Sequence, residues 1–259
     1  MGGCVLQKRR LGHTDIEVSV IGLGTVKFGR KQGVKYPLPF ELPSDNQIEN
    51  LLAVSRHLGI NLLDTAPAYG LSEERLGKCL QGQRHDWVIS TKVGETFADG
   101  LSTFDFSKAA ITESIECSLE RLQTDYLDIV LVHSSGDDER IILEDRVFET
   151  LSTLKTAGKI RAIGCSTKTV AGGFLSVDHA DVVMVTYHPE CTDDKTVIQY
   201  AHQKQKGVLI KKALASGHIN RPVADSLRFV LKEPGVTSVI VGTINEMHLR
   251  EVCGDFTKI

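Results

Sequence analysis

Four chemically different side chains follow three consecutive segments that have the length and apolar character of β-strands. Asp64 ends the first segment and Tyr69 lies in the loop after it, while Lys92 ends the second and His133 the third. A parallel barrel places the carboxyl ends of its strands around one opening, where active sites of this architecture are built. These four groups are therefore expected to converge on one small volume.

Together the four groups could donate a proton to a carbonyl oxygen. A phenol with a pKa of about 10 is a poor acid at neutral pH unless its phenolate is stabilised. We expect Lys92 to lower the pKa of Tyr69, Asp64 to hold Lys92 in place and charged, and His133 to donate a hydrogen bond to the substrate oxygen. Because these groups supply no electrons, an organic hydride donor is needed, and nicotinamide-dependent carbonyl reduction is the natural reaction.

The elements that must position these residues alternate between strand-length apolar runs and amphipathic helical patterns, which is typical of a parallel α/β sheet. Strands are predicted at about 18–24, 60–64, 87–92, 127–133, 160–165, 181–187, 207–211 and 236–241. Helices are predicted at about 46–58, 72–80, 107–121, 145–157, 169–176, 193–205, 222–232 and 245–252, with Ser107 as an N-cap. Eight such units predict a (β/α)8 TIM barrel.

Two further segments surround this barrel pattern. Residues 5–20 alternate between polar and apolar side chains around Gly12, which predicts an N-terminal β-hairpin that could plug the bottom of the barrel. Residues 28–45 have no periodicity and contain three prolines, which indicates a long loop at the active-site face. That loop is interpreted either as a lid or pocket wall, or as a tolerated insertion.

Length and composition describe one ordinary globular unit. The chain has 259 residues, of which 41% are hydrophobic and 24% charged, so a single barrel domain over residues 1–259 is expected. A formal net charge of -3 gives no support for a nucleic-acid or membrane partner. There is no apolar run of membrane-spanning length and no signal peptide in Met1–Arg10, so a cytoplasmic location is expected.

The six cysteines suggest neither a metal site nor a disulfide framework, because they are scattered without a C-x-x-C pair. They are expected to be reduced and mostly buried thiols. They are Cys4, Cys79, Cys117, Cys165, Cys191 and Cys253. No metal cofactor is predicted.

Several segments resemble the signature sequences of the aldo-keto reductase superfamily. These are Asp64-Thr65-Ala66-x-x-Tyr69-Gly70, Ser90-Thr91-Lys92 and Leu131-Val132-His133, together with Gly22-Leu23-Gly24-Thr25, residues 158–164 and residues 238–242. The resemblance implies a barrel fold, a catalytic tetrad of Asp64, Tyr69, Lys92 and His133, and a small carbonyl substrate. It also implies NADPH, with NADH as the alternative, bound across the barrel mouth, and no G-x-G-x-x-G motif follows the first strand.

The same resemblance implies which residues contact the cofactor. They are Gly24, Thr25, Ser166, Thr167, Met184, Lys211, Leu214, Ser216, Gly217, Gly242, Thr243, Asn245, His248 and Glu251. Leu214–Gly217 resembles the loop around the diphosphate, and Asn245 opens the helix expected to meet the 2'-phosphate or ribose.

Three residues around the nicotinamide position depart from the family pattern. Thr167 replaces an asparagine, Met184 replaces a common glutamine, and Lys211 or Lys212 replaces a tyrosine that many members stack on the ring. These departures motivate a second hypothesis, a nucleotide-binding regulatory subunit with little turnover, which the complete tetrad argues against. A third hypothesis, a metal-dependent hydrolase using Asp64 and His133, lacks an accompanying ligand set.

The sequence ends at Ile259, soon after the last predicted helix, and the loops after the fourth and seventh strands are short. We therefore expect an open, permissive substrate pocket. The pattern specifies neither the natural substrate nor an oligomeric state.

Overall fold

A computed structural model of the protein describes residues 5–254 and residue 256. Its strands are β1 (Lys8–Arg10), β2 (Glu17–Ser19), β3 (Ile21–Gly24), β4 (Leu62–Asp64), β5 (Val88–Val93), β6 (Glu95–Ala98), β7 (Leu101–Phe104), β8 (Leu127–His133), β9 (Ile160–Ser166), β10 (Val182–Thr186), β11 (Gly207–Lys211) and β12 (Ser238–Val241). Its helices are α1 (Val26–Gly29), α2 (Asp45–His57), α3 (Ser72–Cys79), α4 (Lys108–Leu122), α5 (Asp138–Leu143), α6 (Val147–Thr156), α7 (Val170–His179), α8 (Lys195–Gln203), α9 (Val223–Lys232) and α10 (Glu246–Gly254).

Eight strands form a closed parallel barrel in the order β3-β4-β5-β8-β9-β10-β11-β12, and β12 pairs with β3 to close it. Helices cover the outside, so each barrel strand is buried on both faces and reads as a continuous apolar run. In β8, for example, every residue from Leu127 to Val132 is buried. The predicted (β/α)8 barrel is confirmed.

The predicted N-terminal hairpin is also confirmed, with β1 antiparallel to β2. Its side chains Leu11, Ile16 and Val18 are buried in one apolar cluster with residues from inside the barrel, including Leu62. Gly12 turns the hairpin at φ +59°, and a Cβ there would lie 2.5 Å from the carbonyl oxygen of Gln205. The hairpin therefore closes the end of the barrel opposite the strand termini that carry the candidate site.

Local hydrogen bonds start the outer helices where the sequence predicts them. The Ser107 side chain accepts from the backbone N–H of Ala110 and caps α4. At α2, Ser44 and Gln47 form a reciprocal capping box. Each of these helices then buries one apolar stripe against the barrel, such as Ile111 and Ile115 of α4.

The sequence patterns did not predict α1, α5 or the hairpin formed by β6 and β7. In that hairpin Ala98 pairs with Leu101, and the turn residues Asp99 and Gly100 have φ of 51° and 82°. An Asp-Gly pair with positive φ is a strong hairpin signal. All four residues of β7 are exposed, so no apolar alternation accompanies that signal.

Five of the six cysteines lie within the described residues, and Cys4 lies outside them. All five are free thiols, with Cys79, Cys165 and Cys253 buried and Cys117 and Cys191 partly exposed. Within residues 5–254 and 256, no helix has the length and apolar character needed to cross a membrane.

Candidate functional site

The four chemistry-bearing residues lie at one mouth of the barrel, on or beside three adjacent strands. Asp64 ends β4, Lys92 is the penultimate residue of β5 and His133 ends β8. Tyr69 ends a short 3-10 turn, Pro67–Tyr69, which Thr65 and Ala66 separate from β4. The neighbouring strand registers bring these positions together, as the strand-end pattern predicts.

Lys92 and Asp64 form a buried ion pair, being 2% and 5% exposed. The ammonium group donates to both carboxylate oxygens at 2.8 Å and to the carbonyl oxygen of Thr65 at 2.8 Å. Burial alone would lower the pKa of Lys92, but Asp64 and the Tyr69 phenol together raise it above its ordinary value. Lys92 therefore stays charged, and the Ser90 hydroxyl also donates to Oδ1 of Asp64 at 3.1 Å.

Tyr69 lies against both Lys92 and His133. Nζ of Lys92 is 4.8 Å from the centre of the phenol ring, and the His133 ring stands edge-on to it at 6.1 Å between centroids. Burial raises the pKa of Tyr69, and Lys92 lowers it by less, so the pKa lies above its ordinary value. The lowering expected from Lys92 is therefore real but outweighed by burial, and Tyr69 holds its proton at neutral pH.

The turn that carries Tyr69 is fixed by close backbone contacts. A Cβ on Gly29 would lie 2.3 Å from the carbonyl oxygen of Tyr69 and 2.3 Å from the backbone nitrogen of Ser72. The Arg30 guanidinium donates to the carbonyl oxygen of Ala68 at 3.1 Å. Helix α1 thereby holds the turn in place, although the sequence patterns did not predict this helix.

Glu95 is a site residue that the sequence patterns missed. It begins β6, and its Oε2 lies 2.6 Å from Nδ1 of His133. Although burial alone would raise the pKa of Glu95, His133, the Ser102 hydroxyl and Arg30 lower it to about 2. An ionised carboxylate therefore faces the imidazole, and the Asp99-Gly100 turn was the available signal for the hairpin that carries it.

A cavity of about 720 Å³ opens beside the tetrad, within the usual range for small-molecule and cofactor sites. The predicted cofactor residues that line it are Gly24, Thr25, Ser166, Thr167, Met184, Lys211, Leu214, Ser216, Gly217 and Gly242. Four others, Thr243, Asn245, His248 and Glu251, lie outside this lining. Asn245 uses its Oδ1 to accept from the backbone nitrogens of Met247 and His248, so it caps α10.

The loop between α1 and α2 forms one wall of the cavity, in agreement with the first interpretation of residues 28–45. Tyr36 lies over Gly242, where an added Cβ would come 2.6 Å from the phenol oxygen. The loop also meets the segment after β11, since Nε2 of His218 is 3.0 Å from the carbonyl oxygen of Lys35. The loop between α1 and α2 and the segment after β11 thus cover part of the cavity.

Positive charge dominates the cavity lining. Its charged side chains are Lys27, Lys35, Lys92, Lys168, Lys211 and Lys212, together with Asp64, which Lys92 neutralises. The pKa of Lys212 is lowered by burial and then by the ammonium groups of Lys35 and Lys168. These cations repel one another, and a bound polyanion would relieve the repulsion. The lining therefore fits a dinucleotide with its diphosphate.

Lys211 occupies the part of the cavity next to β9. Its ammonium donates to Oγ of Ser166 at 2.8 Å and to the carbonyl oxygen of Thr167 at 2.6 Å. Burial and the charge of Lys212 lower the pKa of Lys211 to about 8. Lys211 thus organises Ser166 and Thr167 while remaining mostly charged at neutral pH. In the part of the chain that the structure describes, no group of three His, Cys, Asp or Glu side chains could hold a metal ion.

Comparison with known proteins agrees with this geometry. The sequence model of the aldo/keto reductase family matches residues 20–221. Among curated proteins, L-galactose dehydrogenase of Arabidopsis thaliana is 34% identical over 226 residues, covering 82% of this chain and 66% of that protein. NADH-specific methylglyoxal reductase of Escherichia coli is 30% identical over 230 residues, covering 79% of this chain and 69% of that protein.

Solved structures show the same fold. PA4992 of Pseudomonas aeruginosa has a TM-score of 0.90 at 49% identity, with 97% of this chain and 94% of that chain covered. The holo form of the aldo-keto reductase AKR11C1 of Bacillus halodurans has a TM-score of 0.79 at 26% identity, with 96% and 90% covered. The chain spans about two thirds of the length of the two curated relatives.

Proposed function

The chain belongs to the aldo/keto reductase family and is an oxidoreductase, and from this premise we propose that it reduces an aldehyde or ketone to the alcohol with NADPH. The observation that carries the proposal is the placement of a protonated phenol, Tyr69, beside the buried Lys92–Asp64 pair at the edge of a cationic cavity. A nicotinamide cofactor, when bound, supplies the hydride that these side chains lack.

The residues of the chain have distinct parts in this reaction. Tyr69 donates its proton to the oxygen of the carbonyl as negative charge develops there, and the ammonium of Lys92 stabilises the resulting phenolate. Asp64 keeps Lys92 charged and in position, because Nζ donates to both carboxylate oxygens and to the Thr65 carbonyl oxygen at 2.8 Å. His133 stands edge-on to the Tyr69 ring and lines the same cavity, where it would contact the substrate.

The cofactor is held by the lysines that line the cavity. Three of these ammonium groups repel one another, those of Lys35, Lys168 and Lys212. A bound polyanion relieves this repulsion, and NADPH carries more negative charge than NADH, so NADPH is favoured. Lys211, Ser166 and Thr167 form the neighbouring part of the wall, next to the tetrad. The small carbonyl substrate, the lack of a nucleic-acid or membrane partner and the cytoplasmic location stay predictions.

Replacement of Tyr69 tests the assignment. Tyr69→Phe should lower kcat for carbonyl reduction by at least about a hundredfold, because it removes the proton donor, while the dissociation constant for NADPH changes little. Tyr126→Phe is the matched control, since that phenol lies before β8 at the other end of the barrel and should leave both quantities unchanged. Undiminished turnover in Tyr69→Phe would refute the role of this residue.

Absorbance of the reduced nicotinamide should be followed with NADPH and short aldehydes, including methylglyoxal, and in the oxidative direction with NADP+ and L-galactose, since these two compounds occur in the names of two relatives. Oxidation of NADPH or reduction of NADP+ that depends on one of these compounds supports the reductase. Tight binding of NADPH without oxidation across the panel would instead favour the nucleotide-binding regulatory subunit, the alternative that Thr167, Met184 and Lys211 motivate.

A further inference from the structure

In the part of the chain that the structure describes, Lys211 brings an ammonium group to the cavity wall without a carboxylate in contact with it. Its Nζ donates to Oγ of Ser166 and to the carbonyl oxygen of Thr167, and both acceptors are uncharged. Lys92 lines the same cavity but forms an ion pair with Asp64. Lys211 therefore adds a positive charge that no direct contact neutralises.

The groups around Lys211 leave this charge in place at neutral pH. Burial lowers the pKa of Lys211, and the ammonium of Lys212 lowers it further, to about 8. Three groups act in the opposite direction without overcoming this, namely Cys165, Asp138 and Asp194. Burial raises the pKa of Cys165 and keeps its thiol un-ionised, so the two carboxylates are the negative charges that face Lys211.

Lys211 also lies near the reacting atoms. After burial, its ammonium is among the groups that lower the pKa of His133, whose ring stands edge-on to Tyr69. In the proposed reaction the hydride must reach the carbonyl carbon whose oxygen receives the proton of Tyr69, and reacting atoms approach to about 3–3.5 Å. The nicotinamide ring must therefore enter the part of the cavity that Tyr69, His133 and Lys211 line together.

The two redox forms of a nicotinamide cofactor differ in charge at the ring alone. The reduced ring is neutral. Transfer of its hydride to the carbonyl carbon leaves one positive charge on the ring, while the proton of Tyr69 goes to the carbonyl oxygen. The phosphates are identical in both forms, so their attraction to the lysines of the cavity contributes equally to both. An ammonium group near the ring therefore repels the oxidised form only.

We propose that Lys211 selects the redox state of the cofactor, because its ammonium repels the cationic ring of NADP+ and so favours binding of NADPH and release of NADP+. The inference rests on the proposed reductase function and adds a preference for carbonyl reduction over alcohol oxidation, for which NADP+ must bind first. It concerns binding and release, since the same charge opposes loss of hydride from the ring. Lys211 is one of two lysines that stand where many family members carry an uncharged tyrosine.

Isothermal titration calorimetry of the full chain gives the dissociation constants of NADPH and NADP+ without turnover. At about pH 6.5, NADP+ should bind more weakly than NADPH by about tenfold or more, since like charges repel strongly where water is largely excluded. As the pH rises through about 8, Lys211 loses its charge, and the ratio of the two constants should fall towards one. This readout needs no variant.

Variants then assign the effect to one residue. Lys211→Met should bring the ratio towards one at every pH, mainly by weakening the binding of NADPH. Lys211→Arg should keep a high ratio and lose its pH dependence, because the guanidinium stays charged. Lys212→Met is the matched control. The Lys212 ammonium lies near those of Lys35 and Lys168, so its loss should change both affinities by a similar factor and leave the ratio as it is.

Proton release on binding gives a second readout of the same repulsion. Coupling between two sites is reciprocal, so a cationic ring that Lys211 repels must in turn favour loss of the Lys211 proton. At about pH 8, binding of NADP+ should therefore release more protons than binding of NADPH. Calorimetry in buffers of different ionisation enthalpy measures this difference, which should be absent in Lys211→Met.

The outcomes separate the two hypotheses. Equal affinity for both redox forms in the wild type, an unchanged ratio in Lys211→Met, or loss of the ratio in Lys212→Met instead would each overturn the role of Lys211. If neither nucleotide binds, the proposed reductase function fails and the inference that rests on it fails with it. If the ratio is as expected but no aldehyde or ketone is reduced, selection by Lys211 stands and the reductase function fails.

Discussion

Nζ of Lys92 lies 2.8 Å from each carboxylate oxygen of Asp64, and the two residues come from adjacent strands, β5 and β4. Both side chains are almost fully buried, so the pair depends on its geometry to offset the loss of hydration. The ion pair therefore joins two functions, since it positions the ammonium beside Tyr69 and also connects the barrel strands at the mouth.

Lys92→Met should lower both stability and activity. It leaves the Asp64 carboxylate buried without a counter-ion, which costs about 3–5 kcal/mol, and it removes the cation that stabilises the Tyr69 phenolate. Urea unfolding measures the loss of stability, and kcat measures the loss of activity. The double variant Asp64→Asn/Lys92→Met should be less destabilised than Lys92→Met, because it no longer buries an unpaired carboxylate. If the losses of unfolding free energy in the two single variants simply add up in the double variant, the two residues are not coupled.

Gly29→Ala should impair the site through the backbone. The new Cβ would meet the carbonyl oxygen of Tyr69 and the nitrogen of Ser72 at 2.3 Å, so the turn that carries the phenol must move. We expect kcat to fall at least about tenfold, in line with the sensitivity of catalysis to misplacement. Gly254→Ala is the control, because among the described residues a Cβ at this exposed helical position would meet no atom within 4 Å apart from its chain neighbours and the backbone of its own helix. A fully active Gly29→Ala would show that the turn tolerates the shift.

Leu11→Ala should affect stability alone. Leu11 is fully buried in the hairpin that closes the bottom of the barrel, and removing its side chain leaves a cavity that costs about 2–5 kcal/mol. Urea unfolding should show this loss, while kcat and KM stay at their wild-type values at a temperature where the variant is folded. Leu143→Ala, at a residue 53% exposed, should change stability little. A specific loss of kcat in Leu11→Ala would mean that the hairpin influences the mouth.

NADPH affinity should depend on pH through Lys211. The pKa of about 8 means that Lys211 is charged below this value and neutral above it, so affinity for the anionic cofactor should weaken as pH rises through about 8. Fluorescence titration between about pH 6.5 and 9.5 should show a decrease of about tenfold, as expected for losing one charged hydrogen-bond donor.

Lys211→Met should bind NADPH more weakly at neutral pH and lose most of this pH dependence. Lys31→Met, which removes an exposed ammonium paired with Glu41, should behave as the wild type does. Retention of the full pH dependence in Lys211→Met would assign it to another group, such as Lys212.

The barrel could be predicted from the sequence because each of its strands is buried on both faces and so forms an apolar run. Strand β8 has the predicted bounds, 127–133. The first strand begins later than predicted, at Ile21, because Val18 and Ser19 belong to β2 and pair with β1. Helix α5 escaped prediction since it has six residues, with its apolar side chains adjacent rather than spaced by helical turns.

The clustering of four side chains at the barrel mouth could be predicted because it depends on strand ends, which the sequence pattern shows; they are Asp64, Tyr69, Lys92 and His133. The direction of the pKa shift of Tyr69 could not be predicted. It depends on whether burial raises the pKa by more than the charge of Lys92 lowers it. The pairing of Glu95 with His133 was equally hidden, since it requires the path of an exposed hairpin whose side chains carry no periodic apolar signal.

The β6–β7 hairpin leaves and rejoins the barrel at one point, because the backbone nitrogen of Asp105 donates to the carbonyl oxygen of Gly94 at 3.0 Å. Residues 95–104 therefore form one continuous segment that could be replaced as a unit. A shorter or different segment would change the residue that contacts His133 and the side chains that contact Arg30, while Asp64 and Lys92 would stay on their barrel strands. Substrate preference could thus evolve, or be engineered, by recombination at this junction, with no redesign of the barrel.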